Sequence, residues 1–594
     1  MKEFFKYVLA TICGVMISGV ALTVLFVLLS VFFVCAMLGM DDGRTHEDVQ
    51  KAHSFLRLTL NGVLYEDVSE NAIEYFFGQP TPQLSLRQML TAISEAKEDE
   101  NIDGIYIEAQ YLVNASAAHA HELREALSDF RKSGKYILAY GDFYTQSCYY
   151  ICSVADKIAL NPQGQVDWHG LAAEPVFYKD LLEKIGVKMQ VFKVGAYKSA
   201  VEPFTSDEMS EENRAQINSY LGDIWTTMLD DVAASRNISA NKLDEYADSL
   251  TLFFPADSLL SFGLVDELCY MDSVSGMLRE LTETEKGIIP LVAVSSLCEK
   301  DSGEKDAQDC IVVYYAFGEI TTEALSFAEE TIEMERVMRD LKSLRNDGSV
   351  KAVVLRINSG GGSAYASEQI WKEVKLLSEC KPVVVSMSGM AASGGYYIGC
   401  AADYLLADAN TLTGSIGIFG MIPDVSGLMN EKLGLHFDVV KTNKHSDFGS
   451  LSRPLDSTEE RLMQRYIERG YDLFTRRVAD GRKMNIDTVR ALAQGRVWTG
   501  RQAAGNGLVD STGNLNDAVK KAAELANVED YWIRIEPEAE PWYVSWGEKT
   551  KRDYFNSEMK ATFGTLYSQI MFLFQNRETD WLQARMPYEI NLIK

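Results

Sequence analysis

Val383-Val-Val-Ser-Met-Ser-Gly-Met-Ala-Ala-Ser-Gly-Gly-Tyr-Tyr-Ile-Gly399 is the stretch whose reading decides the fold. Its β-branched start reads as a buried strand, Ser386 to Gly389 as a turn, and the small residues from Met390 onward as a tightly packed helix. Ser393 then falls just past a strand-to-helix junction, where backbone N–H groups lack intrahelical partners and favour negative charge. Gly394 and Gly395 let another chain come close. The setting suits a nucleophile. It equally suits a small-residue helix packed on a sheet, and the rest of the chain must choose between them.

An internal duplication makes the choice. Asn101-Ile-Asp-Gly-Ile-Tyr-Ile-Glu-Ala matches Ser349-Val-Lys-Ala-Val-Val-Leu-Arg-Ile, and Tyr149-Tyr-Ile-Cys-Ser-Val-Ala-Asp matches Tyr396-Tyr-Ile-Gly-Cys-Ala-Ala-Asp. Glu183-Lys-Ile-Gly-Val matches Glu431-Lys-Leu-Gly-Leu, and Gly263-Leu-Val-Asp matches Gly507-Leu-Val-Asp. The order is kept at near-constant spacing, so the chain holds two copies of one unit of about 240 residues. Each copy opens with a strand, Phe55–Leu64 or Ile311–Ile320, followed by a helical stretch, Leu84–Ala96 or Thr331–Leu344. Further strands follow at Gly104–Ile107 and Tyr136–Tyr140, or at Ala352–Ile357 and Pro382–Ser386. Continuous Val/Ile/Leu strands alternating with helices predict an α/β fold with largely parallel strands. Thr282–Asp309, rich in Glu, Lys, Ser and Asp, reads as the junction, and Asn556–Gln575 as an amphipathic tail helix.

Composition narrows the function. At 594 residues several domains are expected. A net charge of −28 opposes binding to nucleic acid or to an anionic lipid surface. The nine cysteines show no Cys-x-x-Cys spacing, and Cys148 and Cys152 read as packed on one helix face. His119 and His121 lie two apart, on different faces of a helix, so neither a metal site nor a cofactor is expected. From Tyr7 to Met40 there is no charged residue, enough for one tilted membrane helix. Lys2 and Lys6 precede this span and Asp41, Asp42, Glu47 and Asp48 follow it, which predicts a signal anchor with the bulk of the chain outside the cytoplasm. The expected division is an anchor at 1–45, copies at 46–290 and 291–545, and a helical tail at 546–594.

The second copy carries Arg356-Ile-Asn-Ser-Gly-Gly-Gly-Ser363 after its second strand. Successive glycines let backbone N–H groups converge on an oxyanion, and no phosphate-binding Gly-x-x-x-x-Gly-Lys-Ser/Thr is present. No Gly-x-Ser-x-Gly surrounds Ser393, and no histidine is placed to suggest a triad. A lysine can serve as base where burial or nearby positive charge lowers its pKa from about 10.4 toward neutrality. The first copy offers Lys198 within Phe192-Lys-Val-Gly-Ala-Tyr-Lys-Ser-Ala-Val-Glu-Pro-Phe204, although a loop lysine is by default solvated.

Three segments carry a family resemblance: Met387–Ile398, Thr411-Leu-Thr-Gly-Ser-Ile-Gly-Ile-Phe-Gly420 and Gly195-Ala-Tyr-Lys-Ser-Ala-Val-Glu-Pro-Phe204. Together they closely resemble the long, duplicated form of the signal peptide peptidase A family, also called protease IV, over nearly the whole chain. The resemblance implies two tandem ClpP/crotonase-like α/β repeats after an N-terminal transmembrane helix. It implies Ser393 as nucleophile, Lys198 as general base and Ser415 as a support for the lysine amine. It also implies oxyanion donors at Gly394 and in the Ser-Gly-Gly-Gly run, taken as Gly362. Gly360 stands where the family often has proline, which loosens that loop. The implied protein is a serine endopeptidase of the bacterial inner membrane, single-pass and facing the periplasm, a homotetramer acting on cleaved signal peptides and other short or unfolded peptides.

The repeat step sets Gln146 opposite Ser393 and Tyr111–Asn114 opposite the glycine run, while Lys198 falls opposite His445 or Ser446. Each copy lacks what the other has, so one site shared between copies is expected. Lys441 and Lys444 are the rival bases. Two other readings are a crotonase-like acyl-CoA enzyme and a non-catalytic membrane scaffold.

Overall fold

The computed structural model describes residues 53–67, 83–113, 115–282, 289–298, 308–322, 331–450, 452–537 and 583–585, with the isolated Leu25. The expected anchor and the amphipathic stretch at 556–575 lie outside the described residues. Among the described residues no helix is long and apolar enough to cross a membrane.

The first copy runs β1 (Ser54–Tyr65), α1 (Leu86–Glu98), β2 (Ile102–Val113), α2 (Ala117–Arg131), β3 (Tyr136–Tyr144), α3 (Gln146–Cys152), β4 (Lys157–Val166), α4 (Lys179–Lys184), β5 (Lys188–Lys193) and α5 (Glu211–Arg236). Strands β1 to β4 pair in that order, all parallel. The second copy runs β6 (Cys310–Phe317), β7 (Glu319–Thr321), α6 (Met334–Asn346), β8 (Val350–Ser359), β9 (Gly361–Ser363), α7 (Ala364–Ser378), β10 (Val383–Ala392), α8 (Gly394–Gly399), β11 (Tyr404–Ala407), β12 (Leu412–Gly414), β13 (Phe419–Asp424), α9 (Ser457–Arg482), β14 (Val497–Thr499) and β15 (Trp532–Glu536), with β16 (Gln583–Arg585) far downstream. Its main sheet has the order β14-β12-β10-β8-β6-β15. Val353, Val354, Leu355 and Ile357 of β8 are buried on both faces, as a central parallel strand covered by helices requires.

The predicted elements are present, and most are longer than the periodicity indicated. Four differ in kind. Ile311–Ile320 is not one strand, because the chain turns at Gly318 (φ 89°) and β7 joins a different sheet. The turn expected at Ser386–Gly389 does not form, and no helix starts at Met390. Instead β10 continues to Ala392, shifts register against β8, and pairs through Met390 to Ala392 with β12. The polar run is satisfied inside the sheet: Arg356 bonds the Ser386 and Ser388 hydroxyls, and Met390 N–H donates to Asn358 Oδ1 at 3.0 Å. The junction is the third difference. Leu291–Ala293, assigned by sequence to the second copy, pairs parallel with β1, and Leu297 is buried in the first copy's core. The described part of the tail, β16, is a strand and not a helix.

The copies are joined in two ways. Strands β7, β9, β16, β13 and β5 form a sheet in which β5 of the first copy pairs antiparallel with β13 of the second. The second join is a buried ionic cluster. Arg356 of β8 donates to Glu66 (2.6 Å) and Glu122 (2.5 Å) of the first copy, and His119 Nε2 lies 3.0 Å from both Ser388 Oγ and Glu66. Burial, the largest single influence, would raise the Glu66 carboxyl; the charges and hydrogen bonds of Arg356 and His119 together outweigh it and hold that carboxyl at about 2. Histidines 119 and 121 thus dock the copies, with His121 Nδ1 2.5 Å from Asp408 of the second.

Candidate active site

The site is built at the seam. Strand β10 delivers Ser393 to the turn into α8, and Ser393 adopts φ 56°, ψ −113°, a conformation L-residues with a Cβ seldom take. Its backbone is fixed on both sides: Ser393 N–H donates to Gly414 O (2.8 Å), and Tyr397 N–H donates to Ser393 O (2.9 Å). Gly395 is required by a close approach, since a Cβ there would stand 2.6 Å from Ser359 O.

From the first copy comes Lys198. Its Nζ donates to Ser393 Oγ at 2.8 Å and lies 3.1 Å from both the carbonyl and the hydroxyl oxygen of Ser415. All three residues are almost wholly buried. Burial pushes the amine down from its usual 10.5 to about 7, so a neutral lysine, able to accept a proton, is populated near neutral pH. Sequence reading allowed burial or a nearby cation as the cause; burial is the one at work.

The second copy closes over the lysine with backbone. A Cβ on Gly495 would stand 2.6 Å from Lys198 Cβ, and one on Gly417 3.2 Å from Lys198 Cδ. Gln494 O accepts from Tyr197 N–H (3.0 Å), while Arg496 O accepts from Ser415 N–H (2.7 Å), so one short loop positions both sides of the base. Gln216 of α5 completes the clamp. Its Nε2 donates to Tyr197 O and Ser199 Oγ, each at 3.1 Å, and its Oε1 accepts from Val497 N–H of the second copy at 3.2 Å. Sequence reasoning missed Gln216, Gln494 and Gly495. Gly417 stood in the quoted Leu-Thr-Gly-Ser-Ile-Gly segment, where its spacing from Ser415 was a usable signal.

On the other side of Ser393 lies the glycine run. Gly361 (φ 101°) packs against Gly394, and its N–H is spent on Ser359 Oγ at 3.1 Å. Gly362 (φ 157°) backs onto Ile320 in β7. Strand β16 runs antiparallel between β9 and β13, with Ala584 opposite Gly362 and Gln583 opposite Phe419. The Ala584 carbonyl oxygen lies beside the residue after Ser393: a Cβ on Gly394 would stand 3.0 Å from it. An extended peptide therefore fits this groove, its carbonyl against Gly361 and Gly394.

The sister positions lack this chemistry. Gln146 heads α3, its Oε1 accepting from His169 and Gly170 N–H, each at 2.9 Å. Lys441 and Lys444, the rival bases, are exposed, and Lys441 is paired with Asp447 at 2.6 Å. Among the described residues no carboxylate bonds Lys198 or Ser393, which removes the carboxylate chemistry that an acyl-CoA hydratase reading needs. With both dyad members present and in contact, a scaffold reading has no support either. Three residues whose ligand atoms could meet on a cation, His445, Asp456 and Glu459, are engaged otherwise: Arg453 holds Glu459 at 2.7 Å and Asp456 caps α9.

Comparison with known proteins gives a consistent answer. The model of peptidase family S49 matches residues 129–285 and 375–529, and that of Clp protease matches 317–412. Protease 4 of Salmonella typhi is 38% identical over 85% of this chain and 84% of its own. Protease 4 of Haemophilus influenzae is 32% identical over 99% of this chain and 95% of its own. The chloroplastic serine protease SPPA of Arabidopsis thaliana is 32% identical over 75% of this chain and 66% of its own.

Proposed function

The chain belongs to peptidase family S49 and is a serine peptidase, and on that premise we propose that Ser393 and Lys198 are its catalytic dyad. The observation that carries the proposal is the 2.8 Å contact between Lys198 Nζ and Ser393 Oγ, both buried where the two copies meet. Neutral Lys198 takes the Ser393 proton as Oγ attacks a peptide carbonyl, and Ser415 holds the resulting ammonium. The N–H groups of Gly394 and Gly362 stabilise the tetrahedral oxyanion. Lys198 then gives its proton to the leaving amine, and a water, deprotonated by the same lysine, releases the acyl group from Ser393. The substrate lies as an added antiparallel strand between β9 and β13, where Gln583–Arg585 now runs.

The substrates we assign are short peptides, cleaved signal peptides among them. An enterococcal relative, 36% identical over 35% of this chain, carries the name putative signal peptide peptidase SppA. A single N-terminal helix at 1–45 anchors the chain in a bacterial inner membrane with the catalytic part outside the cytoplasm, and the chain assembles as a homotetramer. The test is turnover of a fluorogenic peptide by the full-length enzyme. Ser393→Ala and Lys198→Ala are each expected to abolish it while remaining folded by circular dichroism. Full turnover by either variant sinks the dyad.

A further inference from the structure

Past the dyad, the groove runs toward a cation that has no counter-ion among the described residues. Strand β16 runs from Gln583, opposite Phe419, to Arg585, opposite Gly361, with the Ala584 carbonyl beside Gly361 and Gly394. A peptide bound in this register is cut after the residue at the place of Ala584, and its leaving side starts at the place of Arg585. Carried on antiparallel to β13, the leaving residues run back past Ile418 and Gly417. A Cβ on Gly417 would stand 2.9 Å from Gly495 Cα, so the leaving side comes up against the loop Gln494–Arg496.

Arg496 is that cation. Its guanidinium carbon lies 4.1 Å from the centre of the Trp498 ring and 5.2 Å from that of Tyr197, the residue before the lysine. Its Nε is closed off from solvent without a hydrogen-bond partner, and among the described residues no carboxylate pairs with the side chain. Other arginines where the copies meet are engaged, Arg356 by Glu66 and Glu122, and Arg501 by Asp223. The seat is rigid. Trp498 Nε1–H donates to Leu492 O at 3.1 Å, and the Arg496 carbonyl accepts from Ser415 N–H at 2.7 Å. Nor is Arg496 there to depress the lysine, since burial alone does that. A half-buried guanidinium over two aromatic rings keeps its charge and its planar fork of donors, which a carboxylate matches two at a time.

We propose that Arg496 binds the free C-terminal carboxylate of a short peptide, a few residues beyond the bond that Ser393 cuts. The terminus, and not an Asp or Glu side chain, is the anion assigned, because every peptide carries one whatever its sequence. Signal peptides are apolar through their core and basic at their start, so the terminal carboxylate is the anion their fragments bring. A long or folded chain brings no terminus to that place and loses the contact. The site therefore reads the distance from the cut to the end of the chain, and its effect lies in substrate binding, not in the chemical step. This rests on the peptidase reading above and gives it a physical basis for choosing short peptides.

The test uses the full-length enzyme in detergent and peptides of one sequence, made as C-terminal acid or C-terminal amide, with leaving segments of increasing length and products read by mass spectrometry. At a short leaving length the acid is expected to exceed its amide about tenfold in kcat/KM, all of it in KM, as one charged hydrogen bond would give. Arg496→Gln should bring that ratio to one, and Arg496→Lys should keep part of it. Each ratio is taken within one variant, so damage to the lysine clamp cancels. The same ratio read as dissociation constants on Ser393→Ala, with and without Arg496→Gln, needs no turnover. Equal values for acid and amide at every length in the wild type overturn the site and leave the dyad standing, as does a ratio that survives Arg496→Gln. A preference that follows a Glu side chain on the leaving side of an amide, with acid and amide equal, overturns it too. A wild-type enzyme that turns over none of these peptides overturns both readings.

Discussion

Two helix starts occupy the same place in the two copies. In the first, Thr145 caps α3 with ordinary extended backbone (φ −62°), its hydroxyl accepting from Cys148 N–H, and Gln146 fills the space beyond with a fully bonded carboxamide. In the second, Ser393 stands at φ 56° with no side-chain cap, and its hydroxyl is turned toward a lysine from the other copy. The same architecture therefore exists in a relaxed and a strained form. On the proposed dyad, the strained backbone and the buried amine serve catalysis, and the relaxed copy shows what the turn becomes without them.

The largest effect that could break this contrast comes from mixing two dead enzymes. If each copy supplies half of one intrachain site, Ser393→Ala and Lys198→Ala chains mixed or co-expressed will stay at least a thousandfold below wild type in peptide turnover. Recovery toward a quarter of wild-type activity would place the dyad between chains. Next is the docking cluster. Arg356→Met leaves Glu66 and Glu122 buried without their shared arginine and should lower stability to denaturant by about 3–5 kcal/mol. Because the Glu66 carboxyl is held near 2 in the folded protein, its contribution is complete above pH 4.5 and lost as pH falls toward 2. The variant should lose that acid dependence.

The depressed lysine sharpens the contrast through pH. Activity needs the neutral amine, so kcat/KM should fall about tenfold per unit below pH 7 and level off above it. The same depression destabilises the fold fully below pH 7, and less and less as pH rises toward 10.5. Lys198→Met should therefore raise Tm most at pH 6, by a few kcal/mol of stability at about 1.4 kcal/mol per unit. The smallest effect is expected in the relaxed copy. Gln146→Ser leaves the His169 and Gly170 N–H groups without their acceptor, costing about 1–3 kcal/mol, and creates no second serine reactive toward peptide. A gain in turnover would show that the first copy is not idle.

The repeat and the parallel strands were legible because they leave local marks, Val/Ile/Leu runs, glycines and matched segments in order, whereas the pairing of Lys198 with Ser393 came from the family resemblance and the complementary losses of the two copies. The seam was less so. Ser386 and Ser388 read as turn residues because their partners, Arg356 and Glu66, come from a neighbouring strand and from the other copy. Gln216 reads as one polar residue of a helix, and its role exists only once the Lys198 loop and Val497 meet across it. Gly361 and Gly362 could not be told apart by spacing, since it takes the fold to spend the Gly361 N–H on Ser359 and to pair Gly362 with Ile320 in β7. The signal that the helix after β10 begins at Gly394 and not Met390 is likewise nonlocal, because pairing with β12 holds Met390 to Ala392 in the sheet.

The split of the dyad also sets a clock. During synthesis, at about 5–20 residues per second, Lys198 emerges well before Ser393, and Gly495 emerges later still. Until the loop at Gln494–Arg496 arrives, the lysine is bathed in water, keeps its ordinary basicity and stays protonated. A nascent chain can therefore hold a completed first copy, and even its serine turn, without a competent nucleophile. On the proposed dyad, proteolytic capacity arrives late and all at once, only when the Gln494–Arg496 loop of the second copy has folded over the lysine of the first.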